Sequence, residues 1–257
     1  MKILIGCEVS GRIRDAFCRA GADAYSCDVL RISEIPQNLQ EAQTHPHKHI
    51  AGDLLEVAAR GGWDMMIAHP PCTTLANSGV RWLYNPDNTE NQARWQRLRE
   101  DAAFYRSVCQ LPVFFKAIEN PVQHQHALNL HGMGKADQFV QPSWFGSTES
   151  KRTGFKLYNL PPLVRTSFVP ASDQSVWKQS PGPWRWLYRS LVPHEMINAM
   201  VSQWLPIVQS ARPQQVEHDV RRILDTPSAK RERSQLSKPD LQKKPAARAG
   251  TALKARG

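Results

Sequence analysis

Short apolar runs alternating with longer amphipathic stretches are the strongest constraint on how this chain can fold. Residues 3–7, 24–29, 49–51, 64–68 and 113–118 have the length and composition of strands. Residues 11–19, 54–60 and 91–109 between them have the spacing of helices, and Gly21 closes the first. Strands alternating with helices in this way predict βαβ units, hence an α/β fold with a doubly wound, mostly parallel sheet. Later strands are expected at residues 139–140 and 155–158. A stretch rich in Pro, Ser and Trp follows over 160–186 and reads as an irregular flap. Residues 193–205 then read as a helix with Met196, Ala199, Met200 and Trp204 on one side.

Composition separates the chain into two parts. The whole has 33 Lys and Arg against 23 Asp and Glu, a net charge of +10. Residues 210–257 hold twelve basic and five acidic residues, so this end alone contributes +7 of that charge. The expected organisation is therefore a folded α/β domain over 1–208 and a basic, disordered tail over 209–257. Such a tail can hold a protein near a polyanion such as DNA, or it can serve only solubility. No run approaches the roughly 20 apolar residues of a membrane span. The opening run is too short for a signal peptide. Cys7, Cys18, Cys27, Cys72 and Cys109 show neither a CxxC pair nor metal-ligand spacing. A reducing cytoplasm is the expected compartment, with free thiols and no metal. His45, His47 and His49 read as a solvated loop rather than a metal site.

In open α/β sheets ligands bind at the carboxyl ends of the strands. Ser10, Gly11, Asp28, Asp53, Cys72 and Glu119 all fall at such ends. Cys72 lies in Pro70-Pro71-Cys72-Thr73-Thr74-Leu75-Ala76-Asn77-Ser78-Gly79, where two prolines with nearly fixed torsions present the thiol. Glu119-Asn120-Pro121 closes the fifth apolar run, 47 residues beyond the cysteine. A rigidly held thiol and a carboxylate at two strand ends are the parts of covalent catalysis on a pyrimidine ring.

These residues resemble the cytosine-5 DNA methyltransferases, whose nucleophile motif runs Pro-Pro-Cys-Gln-x-Phe-Ser-x-x-Gly. The decapeptide keeps that register, with Thr for Gln and Leu-Ala for Phe-Ser. Glu119-Asn120-Pro121 resembles the family's Glu-Asn-Val. The cofactor loop Phe-Ser-Gly-x-Gly-Gly is matched only by Val9-Ser10-Gly11, with Arg12-Ile13-Arg14 in place of the rest. The likeness covers roughly 1–160 and 188–205, and the short 161–187 region resembles compact phage and prophage members. It implies a Rossmann-like methyltransferase fold, S-adenosylmethionine as cofactor and DNA as partner. By the same resemblance Cys72 attacks carbon 6 of cytosine, Glu119 holds ring nitrogen 3 and Arg152 grips the carbonyl. Asp28 and Asp53 hold the adenosine, and Ser10, Gly11, Pro70 and Asn198 line the cofactor site.

Each residue also has a plainer reading. Cys72 can be a small packing residue, Glu119 a helix cap, Asp28 and Asp53 loop starters, and Ser10-Gly11 a helix start. Trp177, Trp184 and Trp186, interleaved with Lys178 and Arg185, fit either base stacking or flap packing. Three rival functions stand beside cytosine-5 transfer. One is amino methylation of adenine or cytosine, which needs no thiol and wants an aromatic after the prolines. Another is an inert DNA-binding protein that keeps the fold. A third keeps the fold and nucleophile but transfers a different group or acts on a free nucleotide.

Overall fold

Seven strands and eight α-helices follow one another in the computed structural model, which describes residues 1–130 and 132–224, with side chains as far as Ala211. Met1–Ser210 form one compact unit, which holds every residue of the candidate site. The strands are β1 (Lys2–Gly6), β2 (Asp23–Asp28), β3 (His49–Ala51), β4 (Met65–Ala68), β5 (Phe115–Pro121), β6 (Gln138–Val140) and β7 (Thr153–Tyr158). The helices are α1 (Arg12–Arg19), α2 (Gln37–Glu41), α3 (Leu54–Ala59), α4 (Gln92–Gln110), α5 (Gln125–Leu128), α6 (Ser175–Lys178), α7 (Arg185–Ser190) and α8 (His194–Leu224).

The strand order is β3-β2-β1-β4-β5-β7-β6. The first five pair in parallel, and β7 runs antiparallel to both β5 and β6. This is a doubly wound, mostly parallel α/β sheet of Rossmann-like order, as the alternation in the sequence predicts. β4 is buried at every position, which is why it reads as an unbroken apolar run. Leu4, Met66 and Ala68 pack with Leu54 and Val57 of α3 and Leu98, Ala102 and Tyr105 of α4. The alternate residues Ile3, Ile5, Met65 and Ile67, equally buried, face the other side. Trp204 of α8 stands edge-on to Phe155 of β7, with its indole N–H donating to the Pro161 carbonyl at 2.9 Å.

Some elements differ from the sequence expectation. The flap contains the short helix α6 and runs into α7, and α2 and α5 are additional; none has enough turns to show a 3.6-residue period. The last helix passes Leu205, continues through Pro206 and reaches Leu224. Residues 225–257, which carry most of the basic tail, lie outside the described residues.

The chain leaves β1 first toward β2 and β3, then returns to place β4 on the other side. The switch point therefore lies between β1 and β4, where a crevice opens at the strand carboxyl ends.

Candidate active site

His69 follows β4 directly and continues the ladder, its N–H donating to the Gly6 carbonyl at 2.9 Å. Beyond Pro70 and Pro71 the Cys72 carbonyl accepts from the N–H groups of Leu75 and Ala76, at 3.1 and 2.9 Å. The Thr74 hydroxyl donates to Asp101 Oδ2 of α4 at 2.6 Å, and the Thr74 carbonyl accepts from His124 Nε2 at 2.6 Å. His124 Nδ1 accepts from Ala127 N, which leaves Nε2 as the protonated nitrogen of that ring. Asn77 N donates to Val122 O, and His124 N to Leu75 O, so the loop is zipped to the chain leaving β5. Gly79 ends the motif for a steric reason: a Cβ there would lie 2.2 Å from the Thr73 carbonyl oxygen. The cysteine loop is thus held from both sides.

The β4–β5 register pairs Ala68 with Ile118, which sets Glu119 level with His69. His69 Nδ1 lies 3.1 Å from Glu119 Oε2. Glu119 Oε1 is buried and has no hydrogen-bond partner among the described residues. Burial would raise this carboxyl, but the His69 hydrogen bond and the Lys151 charge outweigh it and hold it low. Asn120 Nδ2 donates to the Pro70 carbonyl at 3.3 Å, joining the two strand ends. The Cys72 side chain is partly exposed, and burial together with the Glu119 charge pushes its thiol up to about 11. Lys151 and Arg189 pull in the opposite direction. The Glu119 charge thus acts on the Cys72 thiol.

Arg152 is not brought to that pair. Its guanidinium lies 4.7 Å from the centre of the Phe139 ring, on an exposed side chain. The neighbouring Lys151 supplies the charge, with Nζ donating to the Ser190 and Leu191 carbonyls at 3.1 Å each. Arg189 of α7 is the second cation, and its Nε is buried without a partner among the described residues. Neither appears among the sequence candidates: Lys151 is passed over for its neighbour, and α7 shows no periodic signal.

At the β1/β4 switch point a cleft is lined by Glu8, Val9, Ser10, Arg12, Asp28 and His69 on the sheet side. Trp186, Leu187, Ser190, Leu191 and Val192 close the other side. Ser10 donates to Glu8 Oε1 at 2.6 Å, while Glu8 Oε2 is buried without a partner among the described residues. Asp28 Oδ1 accepts from Leu30 N at 3.0 Å, and burial raises this carboxyl despite that bond. Burial lowers the Arg12 guanidinium, against the charges of Glu149 and Glu8. Trp186 is half exposed at the mouth, 6.3 Å from Trp184.

Four expected cofactor contacts stand differently. Gly11 has φ 71°, and a Cβ there would lie 2.3 Å from Arg14 Nη2, so its lack of a side chain serves packing against Arg14. Arg14 itself is wholly buried and bonds Asp15, Ser26 and Gln43, each at 2.9 Å. It occupies space beneath the loop and does not line the cleft. Asp53 is exposed and caps α3, accepting from Leu55 N at 2.6 Å. Pro70 is buried, with its carbonyl taken by Asn120. Asn198 lies on the exposed side of α8, because the helical period turns Met196, Ile197, Ala199 and Met200 inward. Leu191 and Val192, just before that helix, line the cleft instead. His49 is occupied structurally, bonded to Ser26 Oγ and the Leu30 carbonyl.

The cleft chemistry suits a zwitterionic nucleoside. The orphaned Glu8 oxygen fits an ammonium group, Arg12 a carboxylate and Asp28 a ribose, while Val9, Leu187, Leu191 and Trp186 offer apolar contact.

No protein-family model matches the chain, and no curated protein matches it. Among solved structures, the chain is similar to one described as a DNA modification methyltransferase encoded within an E. coli prophage. That likeness has 16% identity and TM-score 0.41, covering 70% of this chain and 55% of the other. The methyltransferase EhMeth of Entamoeba histolytica gives 13% identity and TM-score 0.41, with 68% and 57% covered. The S. pombe Dnmt2 methyltransferase gives 14% and 0.36, with 69% and 54% covered. The chain spans little more than half the length of these proteins. At such TM-scores they add nothing to what the strand order and the side chains establish.

Proposed function

We propose that this chain is a methyltransferase that moves the methyl group of S-adenosylmethionine to carbon 5 of cytosine in DNA. The meeting of Cys72 and Glu119 at neighbouring strand ends, beside a cleft suited to a nucleoside, carries this reading. A cytosine in a duplex must leave the stack to reach the pair, at a cost of a few kcal/mol. Cys72 Sγ adds to carbon 6, forming a carbon–sulfur bond and shifting the ring double bond's electron pair toward nitrogen 3. Glu119, through its free Oε1, accepts from the exocyclic amino group, and on taking up a proton from solvent it donates that proton to nitrogen 3 as the charge develops there. Lys151 and Arg189 stabilise the thiolate, and Arg189 Nε is available to the base carbonyl. Bound S-adenosylmethionine supplies the electrophilic methyl carbon that an electron-rich carbon 5 accepts. Loss of the carbon-5 proton to solvent water, return of the nitrogen-3 proton to Glu119 and departure of the Cys72 thiolate restore the ring. Glu8, Arg12 and Asp28 hold the cofactor.

The exposed Trp82 under Arg81, and the exposed Trp177 beside Lys178, support a nucleic-acid substrate, since each pairs an aromatic face with a cation. The reading is tested with labelled S-adenosylmethionine and DNA, followed by hydrolysis to nucleosides. Label at carbon 5 of cytosine, abolished by Cys72→Ser and lowered about 100-fold or more by Glu119→Gln, is expected. Label on an exocyclic amino group, or full activity of Cys72→Ser, would overturn it.

A further inference from the structure

His69 lines the cleft at the switch point and also bonds the carboxylate of the base site. Its side chain is 10% exposed, and that of Glu119 is 9% exposed. A low-lying carboxylate accepts, so Nδ1–H of His69 is the donor to Glu119 Oε2. In the neutral ring this leaves a lone pair on Nε2, the opposite edge of the imidazole. Nε2 is buried and has no partner among the described residues. A buried polar atom left unpaired is costly, so the site is built for a group that brings a hydrogen to it. On the cleft side that group must come from whatever fills the cleft. On the other side, holding Oε2 sets the rotation of the Glu119 carboxylate and leaves Oε1 for the base.

We propose that His69 is a positioning residue linking cofactor binding to cytosine recognition: Nε2 accepts an N–H or O–H of the cofactor while Nδ1–H holds Glu119. The proposal rests on the methyltransferase reading given above. A cofactor that engages Nε2 steadies the ring, and the ring then steadies the carboxylate before the base arrives. Cofactor and cytosine therefore bind cooperatively, and linkage requires that each strengthens the other by the same factor.

Two variants separate the two edges of the ring. In His69→Asn the amide nitrogen can take the place of Nδ1, and nothing stands at Nε2. In His69→Gln the amide reaches toward Nε2, and Glu119 loses its donor. The measurements are S-adenosylhomocysteine affinity by calorimetry, and affinity for cytosine-containing DNA with and without that ligand. The wild-type protein is expected to bind DNA about 5-fold or more tightly when S-adenosylhomocysteine is present. His69→Asn should bind the nucleoside ligand about tenfold more weakly and lose the coupling, yet keep its DNA affinity in the ligand's absence. His69→Gln should keep the ligand affinity and lose the coupling. That retained single-ligand binding shows each variant to be folded. Unchanged coupling in both variants, with S-adenosylhomocysteine binding intact, would overturn the link alone. Absence of S-adenosylhomocysteine binding to the wild-type protein would overturn the methyltransferase reading and the link with it.

Discussion

The Thr74 hydroxyl reaches Asp101 of α4 at 2.6 Å, and this bond ties the loop behind Cys72 to the helix layer beneath it. Arg97 bonds the other Asp101 oxygen from one turn earlier, at 2.9 Å. Thr74→Val keeps the branched shape and removes the donor, leaving a buried carboxylate oxygen unpaired. We expect a loss of about 1–3 kcal/mol in urea unfolding. On the proposed function, turnover should fall further than the stability loss explains, because the loop presenting Cys72 loosens.

Gly79 faces the same loop from its far end. A methyl group there would meet the Thr73 carbonyl at 2.2 Å, and that contact is backbone, which cannot rotate away. Gly79→Ala should displace the Cys72 loop and cost about 1–3 kcal/mol. Thermal denaturation measures the stability loss, and methyl transfer should drop with cofactor affinity little changed.

The thiol of Cys72, raised to about 11, is almost entirely protonated in the free protein at pH 7, with about one part in ten thousand ionised. Only the thiolate alkylates readily. Iodoacetamide labelling of Cys72 should therefore climb about tenfold per pH unit from 7 and level off near 11. Lys151→Met removes a positive charge that favours the thiolate, so the profile should move to higher pH. A profile levelling near the ordinary thiol range would contradict this account of the Cys72 surroundings.

Arg12 and Arg14 sit two positions apart and should behave oppositely. Arg14 is fully buried among Asp15, Ser26 and Gln43. Arg14→Met breaks a buried ion pair and should destabilise the fold by about 3–5 kcal/mol. Arg12 lines the cleft, and Arg12→Met should weaken cofactor binding by calorimetry with little change in melting temperature.

The sequence makes the sheet and the placing of Cys72 and Glu119 at strand ends legible for the same reason. β1, β4 and β5 are buried on both sides, so they survive as apolar runs whose ends are easy to find, and Cys72 and Glu119 stand at those ends. What surrounds the pair is harder to read. Lys151 and Arg152 are consecutive, and choosing between them requires knowing which side chain turns toward the pocket. A one-residue choice of this kind exchanges the two faces of a strand end. His69 and Glu119 meet across 50 residues through strand register, and Arg189 arrives on a six-residue helix with no periodic pattern. The basic stretch Arg12-Ile13-Arg14 reads as an eroded glycine loop, whereas Arg14 is a buried packing element and Gly11 makes room for it.

The central claim is that Cys72 bonds carbon 6 of an extruded cytosine while Glu119 holds the ring. Fluorine at carbon 5 cannot depart as a proton does, so DNA carrying 5-fluorocytosine should trap the bonded state in the presence of S-adenosylmethionine. Mass spectrometry of the digested complex is expected to find the nucleotide on the Cys72 peptide, and to find none with Cys72→Ser. A wild-type protein that methylates cytosine in ordinary DNA yet leaves the Cys72 peptide unmodified here would contradict the account.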